Sequence, residues 1–227
     1  AGGAPCACSS RRGEAVTVVI LDADRTDDPE DKALENSHWV AEQIAAVLVS
    51  PTITIRGEAL TRGRLEEALR DAQHAGVVYC GHGRDGELRQ CGEALLDITN
   101  LEQIGARWFH AFACNSGNRL ALSAGPFVAA YLGYHRPVIV EWTVDGLPDE
   151  VRAILRDIVT AATLNLESGV RSRSAVRRRV RDAYDAWIAW REDHDGDEDL
   201  PLLDRMGLSA LSRLYDGMEL HGTEVTD

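Results

Sequence analysis

Gly76-Val77-Val78-Tyr79-Cys80-Gly81-His82-Gly83 is a short apolar run that breaks off into a histidine set between two glycines. A run of that length, β-branched and aromatic, with glycine at its end, predicts a buried strand over 76–80. Working outward, residues 15–21 form another β-branched run of the kind expected in a buried parallel strand. Between the two lie a helical pattern over 33–49, an alternating strand over 52–55 and a second helical pattern over 65–75. Beyond Gly83 the sequence predicts a looped stretch, a short helix near 101–104 and a strand over 107–113 that ends at Cys114-Asn115-Ser116-Gly117. A helix over about 120–131 and a fifth strand over 137–142 follow. Two long helical patterns, about 150–166 and 175–190, flank Gly169, a plausible stop, and a last strand is expected over 218–220. Strands alternating with helices imply an α/β fold: a mostly parallel central sheet covered by helices on both faces.

The chain has 227 residues, enough for one α/β domain with a substantial core. Twenty-four basic against 37 acidic side chains give a formal charge of −13. A net negative surface argues against nucleic acid, or an anionic membrane, as the main partner. No apolar run approaches the length of a membrane span, and nothing at the start reads as a signal peptide, so a cytoplasmic protein is expected. The five cysteines, Cys6, Cys8, Cys80, Cys91 and Cys114, are odd in number and lack framework spacing, which suits reduced thiols. Residues 1–13 are rich in small residues and read as a flexible tail or linker remnant, leaving 14–227 as the folded domain.

In such a fold ligands bind at the carboxyl edge of the sheet, where strands end. Three endings stand out there: Asp22-Ala23-Asp24, Gly81-His82-Gly83 and Ala113-Cys114-Asn115-Ser116. Cysteine is the strongest nucleophile among side chains, but only as thiolate, a minority form at its ordinary pKa of about 8.5. Cys114 is expected between a strand and a helix, whose N-terminus would favour the anion. His82, after a neighbouring strand, is placed to act as general base toward the thiol or to protonate a leaving amine. The flanking glycines let the backbone approach a substrate closely.

Apolar strand, His-Gly, an intervening segment, apolar strand and Ala-Cys-x-Ser together resemble the caspase-like clan of cysteine peptidases. Within that clan the likeness is to the bacterial CHAT (caspase HetF-associated with TPRs) branch. The resemblance extends over most of residues 14–222, including Val138-Ile139-Val140-Glu141-Trp142, although only the His-Gly and Ala-Cys motifs are diagnostic. It implies a caspase-like three-layer sandwich and a cysteine endopeptidase with His82 as catalytic histidine and Cys114 as nucleophile. The main-chain N–H groups of Gly83 and Cys114 would form the oxyanion hole. Asp22, Asp24 and Glu141 occupy the positions where the family sets specificity, and their charge points to cleavage after a basic residue. Arg25 beside them would instead favour an acidic one. The resemblance further implies protein or peptide substrates, a sensor or regulatory domain or protein as partner, no required cofactor, and a setting in bacterial antiviral defence or regulated cell death. Phe112 stands where the caspase signature has Gln, and no long cleavable linker follows Cys114.

Two other readings compete. Residues 18–26 also resemble the first motif of haloacid-dehalogenase-like phosphatases, Asp-x-Asp-x-Thr after an apolar strand, with Asp22 as nucleophile, Asp24 as acid/base and magnesium. That reading needs a lysine and a later acidic pair after a strand; the chain has Lys32, and its late acids, residues 193–199, follow a helix pattern. An inactive caspase-like interaction module is the third reading, since a fold does not by itself imply activity. Residues 193–199 have the oxygen chemistry for calcium, as does the acidic stretch 22–31, but solvated acidic loops are the better account. Arg171, Arg173, Arg177, Arg178, Arg179 and Arg181 read as a solvated helix face or as a dock for an acidic partner.

Overall fold

The computed structural model describes residues 17–23, 35–70, 74–138, 149–194 and 214–227. In chain order the elements are β1 (Thr17–Asp22), α1 (Glu35–Val47), β2 (Thr52–Arg56), α2 (Arg62–Arg70) and β3 (His74–Cys80). Next come β4 (His82–Arg84), β5 (Glu87–Gln90), β6 (Glu93–Asp97), β7 (Trp108–Phe112), α3 (Arg119–Ala124) and β8 (Ala130–Tyr134). The helices α4 (Asp149–Glu167) and α5 (Arg173–Asp193) and the strand β9 (Met218–His221) complete the set.

Six strands form the central sheet in the order β2-β1-β3-β7-β8-β9. All its pairings are parallel except β8 with β9, which is antiparallel. Strand alternation divides the interior into two cores. Val18, Ile20, Val78, Trp108 and Leu132 face Val40 and Ile44 of α1, Val151 and Leu155 of α4, and Trp187 of α5. Val19, Leu21, Val77, Phe109 and Tyr131 face Leu65 and Leu69 of α2 and Leu120 of α3. The apolar runs read as strands are buried on both sides because helices cover both faces. Each fully buried leucine or isoleucine in these layers contributes about 1.5–3 kcal/mol relative to exposure. This is the mostly parallel, helix-flanked α/β architecture expected from the sequence.

Two expectations need correction, and a third falls largely outside the described residues. The stretch after His82 is not a loop: β4, β5 and β6 form a second, antiparallel sheet that buries Leu88, Leu95 and Leu96 against the core of α2 and α3. The helix expected over 120–131 ends at Ala124, and the chain re-enters the central sheet as β8, parallel to β7. Gly133 makes that strand possible, since a Cβ there would come within 2.7 Å of the Gly117 nitrogen. The expected fifth strand over 137–142 lies largely outside the described residues, and β8 occupies the place beside β7.

The crossovers also set the position of a site. From β1 the chain runs through α1 outward to β2, then returns through α2 past β1 to β3 on the other side. The strand order therefore reverses between β1 and β3. A crevice opens at such a reversal, outside the carboxyl ends of the strands.

Candidate active site

Asp22, Cys80 and Phe112 close β1, β3 and β7, and they are register partners across the sheet. Main-chain bonds continue past the strand ends. The Ala23 N–H donates to the Cys80 carbonyl at 2.9 Å, and the Gly81 N–H donates to the Phe112 carbonyl at 3.2 Å. Two residues beyond Cys80 stands His82, and two beyond Phe112 stands Cys114. Their loops touch: a Cβ on Gly83 would lie 2.3 Å from the Cys114 carbonyl oxygen and 3.0 Å from Ala113 Cβ. A glycine at position 83 is thus required by close approach, and its main chain, next to His82 in sequence, lies against the Cys114 carbonyl.

The histidine loop is held from below by Tyr79. Its buried hydroxyl donates toward the carbonyls of His82, at 3.0 Å, and Arg89, at 2.6 Å. Burial drives the Tyr79 pKa well up, so it stays a neutral donor. The cysteine loop is braced from the other side. Buried Ser116 donates through Oγ toward the Ala111 and Ala113 carbonyls and accepts from the Tyr134 N–H at 3.2 Å. The Gly117 N–H donates to the Tyr134 carbonyl at 2.8 Å, locking the loop to β8. Asn115 takes a positive φ of 54° to turn the chain here, a conformation asparagine tolerates better than most residues.

The thiol environment differs from the expected one. Cys114 lies in a turn, and α3 begins only at Arg119 and is six residues long, so the helix does not start at the thiol. Burial raises the Cys114 pKa; hydrogen bonding from Val138 and from its own amide partly opposes that rise. The Val138 N–H donates to Cys114 Sγ at 3.2 Å, and the thiol lies 3.6 Å from the Val138 carbonyl oxygen. Val138 was not singled out from the sequence, because a main-chain contact at a sequence separation of 24 leaves no side-chain pattern.

Asp22 reaches the same edge but is fully buried. Its Oδ2 accepts from His38 Nδ1 at 2.8 Å and from Arg56 Nε at 2.9 Å. Glu42 joins the group, 3.1 Å from His38 Nε2 and 3.7 Å from Arg56. Oδ1 has no hydrogen-bond partner among the described residues. With Oδ2 held by His38 and Arg56, only Oδ1 would be left to an aspartyl nucleophile. Asp24, Glu141 and Lys32 lie outside the described residues, as do most of the acidic stretches considered for calcium. Among the described residues, no group of three or more His, Cys, Asp or Glu side chains is placed to hold a metal ion. No helix among them is long and apolar enough to cross a membrane.

No protein-family model matches the chain. No curated protein matches it either. Among solved structures it is similar to the Arg-specific cysteine proteinase gingipain R, with 12% identity and a TM-score of 0.47 over 91% of this chain and 45% of that one. It is also similar to a complex of the pro- and mature domains of Porphyromonas gingivalis RgpB, with 12% identity and a TM-score of 0.47 over 92% of this chain and 47% of that one. The chain spans less than half the length of either structure.

Proposed function

We propose that the chain is a cysteine endopeptidase acting on protein or peptide substrates through His82 and Cys114. The observation that carries this reading is the contact between the two strand-end loops, with the Gly83 main chain pressed against the Cys114 carbonyl. His82 and Cys114 each follow a strand end at the carboxyl edge, on loops that touch near the reversal of strand order, so the pair would supply a base and a nucleophile where this fold class binds ligands.

In this mechanism His82 accepts the Sγ proton of Cys114, and the thiolate adds to the scissile carbonyl carbon. The N–H groups of Gly83 and Cys114 donate to the oxyanion of the tetrahedral intermediate. As the intermediate collapses, the C–N bond breaks and His82 returns its proton to the leaving amine. Water, deprotonated by His82, then hydrolyses the thioester and restores the thiol. The raised pKa of Cys114 gives the base a definite task, because little thiolate exists without it.

Basic preference at the cleaved position is part of the proposal, and Asp22 supports it. Among the described residues its buried Oδ1 has no donor, which is costly, and an incoming guanidinium or ammonium group would relieve that cost. Substrate must then displace whatever covers Asp22, which is 0% exposed.

The test is a panel of fluorogenic peptides with Arg, Lys, Asp or an apolar residue at the cleaved position. Turnover of the Arg and Lys members, lost in Cys114→Ala and His82→Ala, is the expected result. Preference for Asp overturns the basic specificity alone. No turnover of any peptide, with folded protein, favours an interaction module instead.

A further inference from the structure

The start of α5 carries a concentration of positive charge at odds with the rest of the molecule. Arg173, Arg177, Arg178 and Arg181 line a cavity of about 470 Å³ together with Tyr215 and Asp227. Among the described residues, four guanidinium groups face one carboxylate there, in a chain whose formal charge is −13.

The arginines are set as a row. Arg173, Arg177 and Arg181 recur every four residues along α5, a spacing of about 6 Å at the helical rise of 1.5 Å per residue. Two of them are positioned by the sheet: Arg173 Nε donates to the Leu220 carbonyl and an Arg177 terminal N–H donates to the Met218 carbonyl, both at 2.9 Å. Each bond uses one of the five N–H donors of a guanidinium, and no acid pairs with either group among the described residues. Among the described residues Arg181 has only a long pair with Asp185, at 3.7 Å between side chains about 60% exposed, and Arg178 is exposed. Such an exposed pair is easily exchanged for another carboxylate.

At the rim of the cavity the Asp227 carboxylate accepts from the Arg173 main-chain N–H at 3.0 Å, from Ser174 Oγ at 2.6 Å and from Ser172 Oγ at 3.2 Å, and from none of the four guanidinium groups. That carboxylate and the Ser172 cap satisfy the first turn of α5, so the unsatisfied positive charge belongs to the arginine row rather than to the helix end.

We propose that this row is a docking site for an acidic segment of a partner polypeptide. In an extended chain, side chains on one face recur every second residue, about 6.6–6.8 Å apart. That repeat matches the arginine spacing, so carboxylates at alternate positions can meet successive guanidinium groups, each in a two-pronged hydrogen bond. A polypeptide is favoured over nucleic acid because a short basic row on an otherwise acidic protein gives a phosphate backbone little beyond the cavity to follow. The site sits beyond β9, two strands from β7, so it is separate from the His82 and Cys114 loops. It does not depend on the peptidase reading.

The test is fluorescence anisotropy of the full chain with a labelled peptide carrying glutamate at alternate positions. A glutamine counterpart, inorganic phosphate and a single-stranded oligonucleotide serve as comparisons. Arg178→Ala/Arg181→Ala is the informative variant, since neither side chain holds β9, and circular dichroism checks its fold. Binding of the glutamate peptide, absence of binding by the glutamine peptide, and at least tenfold weaker affinity in the double variant are expected. No binding to the unmodified chain, equal affinity for both peptides, or unchanged affinity in the folded double variant overturns the proposal. Tighter binding of phosphate or the oligonucleotide than of the peptide also overturns it and reassigns the row to phosphate.

Discussion

The main chain of Val138 brackets the Cys114 sulfur, its N–H at 3.2 Å and its carbonyl oxygen at 3.6 Å. The N–H stabilises a thiolate, while the carbonyl offers an acceptor only to the protonated thiol. Burial outweighs the donor, and the thiol is held in its protonated form. Alkylation of Cys114 by iodoacetamide, followed by peptide-resolved mass spectrometry, should therefore rise with pH to a midpoint above the ordinary thiol value of about 8.5. Val138→Pro removes the N–H donor and should move the midpoint higher still. A midpoint near neutrality in the resting chain would contradict the assignment.

Gly83→Ala tests the contact between the two loops. A Cβ placed 2.3 Å from the Cys114 carbonyl oxygen cannot be accommodated without moving main chain. Overpacking of this kind costs about 1–3 kcal/mol. Displacement of a proposed oxyanion donor by about 1 Å should lower kcat/KM roughly 100-fold. Steady-state kinetics on a basic fluorogenic peptide and a thermal melt measure the two effects separately. Full activity in this variant would show that the close approach is unrelated to catalysis.

His110 should govern part of the acid sensitivity of the fold. It is fully buried on β7, with Nδ1 2.7 Å from Thr163 Oγ1 of α4 and Nε2 3.0 Å from the Tyr134 hydroxyl of β8. Desolvation lowers its pKa from 6.5 to about 3. The folded value lies below the unfolded one, so between them the unfolded chain binds more protons and stability is lost as the pH falls. The stabilising contribution is complete above about pH 6.5 and declines by about 1.4 kcal/mol per pH unit below it. Urea melts from pH 7 to 4 should show this slope, and His110→Gln should flatten it while lowering stability at neutral pH.

Asp22→Asn tests both a structural and a recognition role. The substitution leaves Arg56 and His38 without the charge they face, although Arg56 is 44% exposed and therefore partly screened. A loss of about 1–2 kcal/mol in a urea melt is expected, the range for a charged hydrogen bond moderated by exposure. The ratio of cleavage after Arg to cleavage after Asp should fall in the same variant. An unchanged ratio would assign Asp22 to the framework alone.

The large buried strands were legible because their composition matches their burial. The central part of β1 reads Val18-Val19-Ile20-Leu21, and all four side chains are buried. Gly169, with φ of +81°, separates α4 from α5, as its place between two helical patterns suggests. The small sheet was not legible, since β5, Glu87–Gln90, has one apolar residue in four and borrows its burial from α2 and α3. Nor was β8, whose Ala130-Tyr131-Leu132-Gly133-Tyr134 carries no β-branched residue and continues a helical rhythm from Leu120. At the candidate site, the strand ends just before His82 and Cys114 were legible from the sequence. The partners of Asp22 were not, because His38 and Arg56 stand 16 and 34 residues away and meet it only through the fold.

The loops at the carboxyl edge are stitched to one another by amides, from Ala23 to Cys80 and from Gly81 to Phe112. Those bonds ask nothing of the side chains at positions 22, 82 and 114. Replacing His82 or Cys114 would therefore leave this main-chain frame in place. On the proposed reading, the difference between cutting a partner and merely gripping it would rest on two letters of the sequence, silent in the architecture.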